Sequence, residues 1–201
     1  AFSVFGQFTG QCFHYGCRNR STASKRYAHT QLIEEYAASF PGFSHTHEKL
    51  NHRSYIAIIG GTGLTTLGTL RIIHRETVST PYGEPSSPVI HGELGGRAVA
   101  FLARHGLHHT LPPHKVNYRA NLWALRQTGV KQVIAVAAVG GIRDDMEPGV
   151  LAFPDQLIDY TWGRHCTFFE DNLTQVTHID FTDLYCRELR ERLIQAARAV
   201  N

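Results

Sequence analysis

The chain has little cysteine and methionine, and it contains no long apolar run. Four cysteines stand in 201 residues, and Met146 is the one methionine. So few thiols do not fit a small secreted scaffold built on disulfides, and they favour a reduced, cytoplasmic protein. Because no stretch reaches about 18 consecutive apolar residues, the sequence predicts no transmembrane helix and no membrane partner.

The chain also lacks a net charge over most of its length. Residues 1–54 hold six Lys or Arg and three Asp or Glu, whereas residues 55–201 hold fourteen of each class. A protein that binds nucleic acid usually carries a basic stripe on its folded part. The balance therefore predicts that nucleic acid is not a partner.

Residues 1–54 lack any sustained alternation or repeat. One short helix is predicted, from about Thr30 to Phe40, and Pro41-Gly42 ends it. The cysteines and histidines of this segment are Cys12, Cys17, His45 and His47. Their C-x4-C and His-x-His spacings are unlike a zinc finger, so a zinc site is disfavoured there. We expect residues 1–54 to be an irregular extension outside the domain that follows.

From Tyr55 onward, short apolar runs alternate with helical patterns. Apolar runs that end at glycine turns are typical of strands buried on both faces of a parallel sheet. A helix is predicted from about His114 to Thr128, and another from about Asp183. The alternation predicts an α/β sheet with helices on its faces. The four predicted strands lie in YIAIIGGTGL (55–64), AVAFLARHG (98–106), KQVIAVAAVGGI (131–142) and VLAFPDQLIDYT (150–161).

A glycine turn, GGTG at 60–63, directly follows the first predicted strand. Backbone N–H groups in such a turn can face an anion, and the Thr62 hydroxyl can add a donor. A dinucleotide fingerprint would need Gly or Ala at the position of Thr66, and a P-loop would need a lysine that is absent. Taken alone, the turn fits an anion site and a plain tight turn equally well.

The pair Arg104-His105 follows the second predicted strand. Ligands of open α/β sheets bind at the carboxyl ends of the strands, where this pair and the glycine turn both lie. Arginine offers planar, bidentate contact to phosphate oxygens, and a neighbouring histidine can add a hydrogen bond. The combination favours a phosphate site over a structural ion pair. His105 and His109 lack the helix and the glutamate of a zincin motif, so a metal site is disfavoured.

Five stretches taken together resemble the methylthioadenosine/purine nucleoside phosphorylase family in order and spacing. They are AIIGGTGL, LARHG with a following histidine, PPHKVNYRANLWAL, VIAVAAVGGI and PDQLIDYTWGR, and the resemblance runs from about Tyr55 to the end. The stretch THIDFTDLY (177–185) adds a similarity to the bacterial S-methyl-5′-thioinosine phosphorylase branch. The resemblance implies an α/β sandwich around a central mixed, partly barrel-like sheet flanked by helices.

The resemblance also assigns roles to individual residues. It implies that Thr62, Arg104, His105, Ala137 and Ala138 bind phosphate. It places His109 near the phosphate and the sugar, and His178 in the site of a neighbouring subunit, near the 5′ substituent. At position 137 the family usually carries a side chain that donates to phosphate, so Ala137 implies one donor fewer.

The activity implied is cleavage of a purine nucleoside by inorganic phosphate in a homotrimer. The resemblance implies no metal or organic cofactor. Inorganic phosphate takes part as a co-substrate. The purine-binding half of the family, with the group that protonates the leaving base, has no counterpart before Asn201. We therefore expect residues 55–201 to be the N-terminal part of the domain, truncated at the C-terminus, and this chain alone to be inactive.

Overall fold

The computed structural model describes residues 3–5, 56–61, 68–170 and 173–200. These residues form one sheet of six strands, a 3-10 turn and two α-helices. The predicted helix near 30–40 and the residues Cys12, Cys17, His45 and His47 lie outside them. The strands are β1 (Ser3–Phe5), β2 (Ile56–Gly60), β3 (Arg71–Glu76), β4 (Val89–Leu94), β5 (Arg97–Ala103) and β6 (Gln132–Ala135).

The sheet is mixed, with the strand order β1-β6-β2-β5-β4-β3. The first four strands in this order run parallel, and β4 and β3 are antiparallel to their neighbours. The two edge strands, β1 and β3, do not meet within the described residues, so the sheet there is open. The predicted mixed α/β sheet is confirmed, whereas its partly barrel-like closure is not seen in this part of the chain.

Strands β2 and β5 are nearly all apolar because both faces of the sheet are covered. Ala57 and Ile59 pack on one side with the helix α1 (Tyr118–Gln127). Ile58 packs on the other side with the side chain of Phe101. Further along that side, Ile134 of β6 meets Leu193 of the helix α2 (Arg187–Ala199). Each fully buried aliphatic or aromatic side chain of this kind stabilises the fold by about 1.5–3 kcal/mol.

The helix predicted from His114 to Thr128 is split in two. A 3-10 turn spans Pro113–Lys115, and α1 begins only at Tyr118. The break lies at Asn117, whose side-chain oxygen accepts a hydrogen bond from the Ala120 amide at 3.1 Å. An asparagine cap satisfies an amide that otherwise has no partner in the first helical turn, so it fixes where the helix begins.

The last helix begins later than the sequence predicts. The prediction placed its start near Asp183, but α2 begins at Arg187. Cys186 is the N-cap, and its sulfur accepts from the Leu189 amide at 3.5 Å. The segment before the cap is held in turns, one of them closed by the Asp180 carboxylate and the Thr182 amide at 2.9 Å. Local hydrogen bonds of this type compete with helix formation.

The prediction of a strand over 150–161 is wrong. This segment has no strand structure, although the side chains of Leu151, Phe153 and Leu157 pack against the apolar cluster on α2. Pro154 cannot donate a ladder hydrogen bond, and Arg190 of α2 donates to the carbonyls of Phe153 and Pro154 at 3.1 Å. Apolar side chains of 150–161 therefore pack against the helix α2, and this segment does not pair with any described strand.

Three strands were not predicted. β3 and β4 form an antiparallel extension of the sheet, and every residue of β3 is exposed. An exposed strand shows no alternation of buried apolar and exposed polar residues, so β3 could not be predicted from the sequence pattern. β1 lies inside the predicted extension 1–54 and pairs with β6 at the sheet edge. The assignment of 1–54 to a separate extension remains a prediction.

Large apolar side chains are exposed along the irregular segment between β6 and α2. Ile142, Tyr160 and Trp162 are 86–98% exposed. Where such side chains form a large patch, the patch usually marks a surface that contacts another molecule. Among the described helices, none is both long and apolar enough to cross a membrane.

Candidate active site

Three parallel strands deliver their carboxyl ends to one point of the sheet. The Arg104 amide, just after β5, donates to the Gly60 carbonyl at 2.8 Å. The Val136 amide, just after β6, donates to the Ile59 carbonyl at 2.9 Å. β2 thus lies between the two strands whose ends carry the predicted site residues, as expected for a ligand site of an open α/β sheet.

The guanidinium of Arg104 is folded back across these strand ends. Its Nη2 donates to the Val136 carbonyl at 3.0 Å. A Cβ at Gly61 would lie 2.9 Å from Nη1 of Arg104 and 3.1 Å from the Val136 carbonyl oxygen. Gly61 is therefore needed for space. Burial lowers the pKa of Arg104 below its ordinary value, and the nearby Tyr118 opposes that shift.

His105 is oriented by the turn that follows β5. Its ring Nδ1 lies 2.8 Å from the Leu111 carbonyl oxygen, so Nδ1 carries a proton and donates. Nε2 is then the nitrogen that can face a ligand. Burial lowers the pKa of His105, the bond to Leu111 opposes this, and the charges of His109 and Arg104 add to the lowering. A bound anion would reverse the shift and let Nε2 donate as well.

His109 lies next to His105 in a strained backbone conformation. Its φ is 55°, which is in the left-handed region that side-chain-bearing residues rarely adopt. The two imidazole rings have their centroids 4.8 Å apart at a tilt of 60°. Such strain is often maintained where a residue must be positioned for function. The structure thus brings His109 to the Arg104-His105 pair.

The other predicted site residues are Thr62, Ala137, Ala138 and His178, and no side-chain hydrogen bond among the described residues joins them to Arg104 or His105. Thr62 lies outside the described residues. Ala137 and Ala138 directly follow Val136, at the same sheet edge as Arg104. His178 is exposed in the irregular segment before α2. No hydrogen bond or ion pair between described residues joins His178 to the Arg104 pair.

The structure adds a layer of hydrogen bonds behind the site that was not predicted from the sequence. Ala103, the last residue of β5, donates its amide to the Ser87 hydroxyl at 3.1 Å. The neighbouring Ser86 is held by the buried Asn121 of α1, which accepts from the Ser86 amide at 2.7 Å. A second bond runs from Asn121 Nδ2 to the Ser86 hydroxyl at 2.9 Å. An asparagine among apolar helix positions is the one sequence sign of this layer, since a buried amide needs such partners.

We expect Asn121→Ala to destabilise the chain by about 1–3 kcal/mol, because the part-buried Ser86 amide would lose its acceptor and the buried Asn121 side chain would be removed. Gln127→Ala, at an exposed position of the same helix, should change the unfolding free energy by less than about 0.5 kcal/mol. Urea denaturation of both variants tests this. Equal stability of the two variants would show that Asn121 does not support the strand end.

The depressed pKa of His105 gives a pH dependence with a definite sign. The folded chain binds a proton at His105 less readily than the unfolded chain, whose histidine pKa is about 6.5. Because protonation of His105 favours the unfolded chain, the contribution of this residue to the unfolding free energy keeps its full value above about pH 6.5 and decreases as the pH falls below that value. In phosphate-free buffer, the unfolding free energy should fall from about pH 7 to about pH 5.5 more steeply than in His105→Gln. Parallel curves for the two proteins would contradict the shift.

The chemistry of this cluster is that of an anion site. Arg104 supplies a permanent positive charge, and His105 and His109 supply nitrogens that can be protonated. In the part of the chain that the structure describes, no carboxylate forms an ion pair with Arg104 or His105. A half-buried arginine without an acidic partner is suited to bind a phosphate oxygen pair.

Comparison with known proteins assigns the family. The model of the phosphorylase superfamily matches residues 55–201. The chain belongs to the phosphorylase superfamily. It is 53% identical over 143 residues to an S-methyl-5′-thioadenosine phosphorylase of Hyperthermus butylicus, covering 71% of this chain and 52% of that protein.

A second relative of the superfamily is a probable S-methyl-5′-thioinosine phosphorylase of Pseudomonas syringae. Identity is 54%, covering 71% of this chain and 58% of that protein. Among solved structures, a methylthioadenosine phosphorylase from Schistosoma mansoni in complex with adenine has a TM-score of 0.70 and 37% identity, covering 74% and 55% of the two chains. The chain thus spans little more than half the length of these relatives. The family and fold expected from the sequence motifs are confirmed.

Proposed function

We propose that this chain carries the phosphate-binding part of an enzyme that cleaves purine nucleosides with inorganic phosphate. The products would be a free purine base and a pentose 1-phosphate. Membership of the phosphorylase superfamily supports the reaction class. The single observation that carries the proposal is the Arg104 guanidinium, held across three strand ends without an acidic partner among the described residues.

In this proposal Arg104 and His105 hold the phosphate, with Thr62 at the glycine turn and Ala137 and Ala138 at the end of β6. The Arg104 fork would take two phosphate oxygens, and the protonated Nε2 of His105 would donate to a third. Ala137 offers no side-chain donor, so backbone groups would have to serve at that position.

The fixed phosphate explains how the reaction proceeds. The C1′–N9 bond breaks with its electron pair passing to the purine, and positive charge builds on the sugar. A phosphate oxygen held near C1′ stabilises this charge and then forms the new bond to C1′. Positioning a nucleophile in this way contributes up to about 7–11 kcal/mol in favourable cases. The purine must gain a proton as it leaves, and we assign that role to none of these residues.

We propose S-methyl-5′-thioinosine as the first substrate to test. The names of the relatives support a methylthio-nucleoside, either thioinosine or thioadenosine. Inosine and guanosine remain the alternatives. His109 would lie near the phosphate and sugar, and its ring contact with His105 supports this position. His178 would serve the site of a neighbouring subunit in a homotrimer, and its exposure supports a role between subunits.

We propose that the 201-residue chain by itself does not catalyse nucleoside cleavage. The chain spans 52–58% of the two curated relatives compared above, and large apolar side chains are exposed between β6 and α2. Both observations support a domain that needs further chain to form a purine pocket. No metal or organic cofactor enters the proposed reaction, which we place in the cytoplasm because the cysteine content is low.

The test is purine release from S-methyl-5′-thioinosine, methylthioadenosine and inosine, each with and without inorganic phosphate. We expect no release from the 201-residue chain, and phosphate-dependent release when the chain is extended by the C-terminal half of a relative. Release by the short chain would overturn its inactivity. Release without phosphate, or phosphate binding with no release from the extended protein, would overturn the proposed reaction and favour a non-catalytic anion-binding module.

A further inference from the structure

Two histidines and a glutamate meet on one face of the β3–β4 ribbon, away from the strand ends described above. His74 of β3 and His91 of β4 are direct cross-strand partners, and their rings are stacked with centroids 4.4 Å apart. Glu76 lies two residues beyond His74, on the same face of β3. A register shift between Ile72 and His74 sets this pairing. Bulges of this kind often re-aim a side chain.

The distances among these three side chains are close to those of a metal site. The Nε2 of His91 lies 3.1 Å from a carboxylate oxygen of Glu76. One ligand atom from each of the three residues lies within 4.8 Å of the other two. Tetrahedral zinc, with bonds of about 2.0–2.2 Å, separates its ligand atoms by about 3.3–3.5 Å. The separation of His91 Nε2 from the Glu76 oxygen is thus already close to that of two zinc ligands. The ring nitrogen of His74 must move by no more than about 1.5 Å to reach the same separation.

We propose that His74, Glu76 and His91 form a binding site for a divalent transition metal, with zinc as the best fit. Two imidazoles and one carboxylate are a ligand set that zinc takes in proteins, with the fourth position open to water. This set is harder than a thiolate set and softer than the all-oxygen sets of magnesium and calcium. The site shares no residue with the proposed phosphate site; His91 pairs with Ala100 of β5, four residues before Arg104.

The three proposed ligands differ in burial and therefore in how far they can move. His91 is 3% exposed, so its ring is fixed by the packing around it. His74 and Glu76 are exposed and can adjust. The two rings are parallel to within 7°, so the His74 ring must tilt for its nitrogen lone pair to point at a shared ion. Binding should therefore break the ring stacking and link β3 to β4.

The test is titration of Zn²⁺ into the full chain after treatment with a chelator, followed by calorimetry. We expect one equivalent to bind and to raise the Tm, because the ion binds the folded chain and not its dispersed ligands. His74→Ala and Glu76→Gln should each weaken binding at least about tenfold, since loss of groups that merely orient ligands already costs about 10–100-fold. Both residues are exposed, so these variants avoid the buried His91.

Controls separate this site from other zinc ligands of the chain. His114→Ala and Glu84→Gln change exposed residues of the same types and should leave zinc affinity unchanged. The double variant Cys12→Ser, Cys17→Ser should also bind as the parent does, and bound Co²⁺ should show no thiolate charge-transfer band. Absence of zinc binding would overturn the proposal. Unchanged affinity in both His74→Ala and Glu76→Gln would do so as well, because the zinc would then lie elsewhere.

Discussion

Replacing Arg104 by alanine should weaken phosphate binding by about thirty- to several-thousand-fold. Removing one partner of a desolvated, hydrogen-bonded charge pair costs about 2–5 kcal/mol, and each 1.4 kcal/mol is a factor of ten. The guanidinium is half-buried and already positioned by its bond to the Val136 carbonyl, so little is lost in ordering it. Isothermal titration of inorganic phosphate into the chain measures the effect.

Two further variants make the Arg104 result specific. Arg104→Lys keeps the charge but loses the planar fork, so it should recover only part of the affinity. Arg75→Ala removes an exposed positive charge on β3 and should change phosphate affinity by less than about twofold once salt screens it. If Arg75→Ala weakened binding as much as Arg104→Ala, the effect would be one of net charge and the assigned site would be wrong.

The second large effect is expected at Gly61, which makes no side-chain contact of its own. In Gly61→Ala the new methyl group would stand 2.9 Å from Arg104 Nη1 and 3.1 Å from the Val136 carbonyl oxygen. The backbone oxygen cannot easily move, so the guanidinium must leave its position. We expect phosphate affinity to fall by tenfold or more, and overpacking to cost about 1–3 kcal/mol of stability. Phosphate titration and urea denaturation measure the two effects.

Gly68 provides the matched control for this substitution. A Cβ at Gly68 would meet nothing within 4 Å, and its backbone is not in the left-handed region. Gly68→Ala should therefore leave phosphate affinity unchanged and alter stability by at most about 1 kcal/mol. A Gly61→Ala variant that bound phosphate like Gly68→Ala would show that Arg104 does not act from the position seen here.

The strands that carry the site could be predicted because both of their faces are buried. The runs at Ile56–Gly60 and Arg97–Ala103 are nearly all apolar for that reason; the first ends at Gly60, and the second is followed by Arg104, the first residue of a turn. The same rule misled at 150–161, where apolar side chains cover a helix without joining the sheet. An apolar run reports burial, and only its partners decide whether the burial is that of a strand.

The site itself could be predicted only in outline. Placing Arg104 and His105 at a strand mouth needed no more than the order of strands and turns. The contact between Arg104 and the Val136 carbonyl joins residues 32 positions apart, so it depends on the pairing of β2 with both neighbours. The same holds for Asn121 and Ser86, which are 35 positions apart. Local patterns do not encode such distances.

The central claim is that phosphate binds where β2, β5 and β6 end, against Arg104 and His105. The most direct measurement is an NMR titration of the chain with inorganic phosphate, in which the ring nitrogens of assigned histidines are followed at constant pH. We predict that Nε2 of His105 gains a proton as phosphate saturates, because the anion raises a pKa that burial had lowered. Exposed His114 should not respond. Saturable phosphate binding that left the His105 ring unchanged would contradict the account.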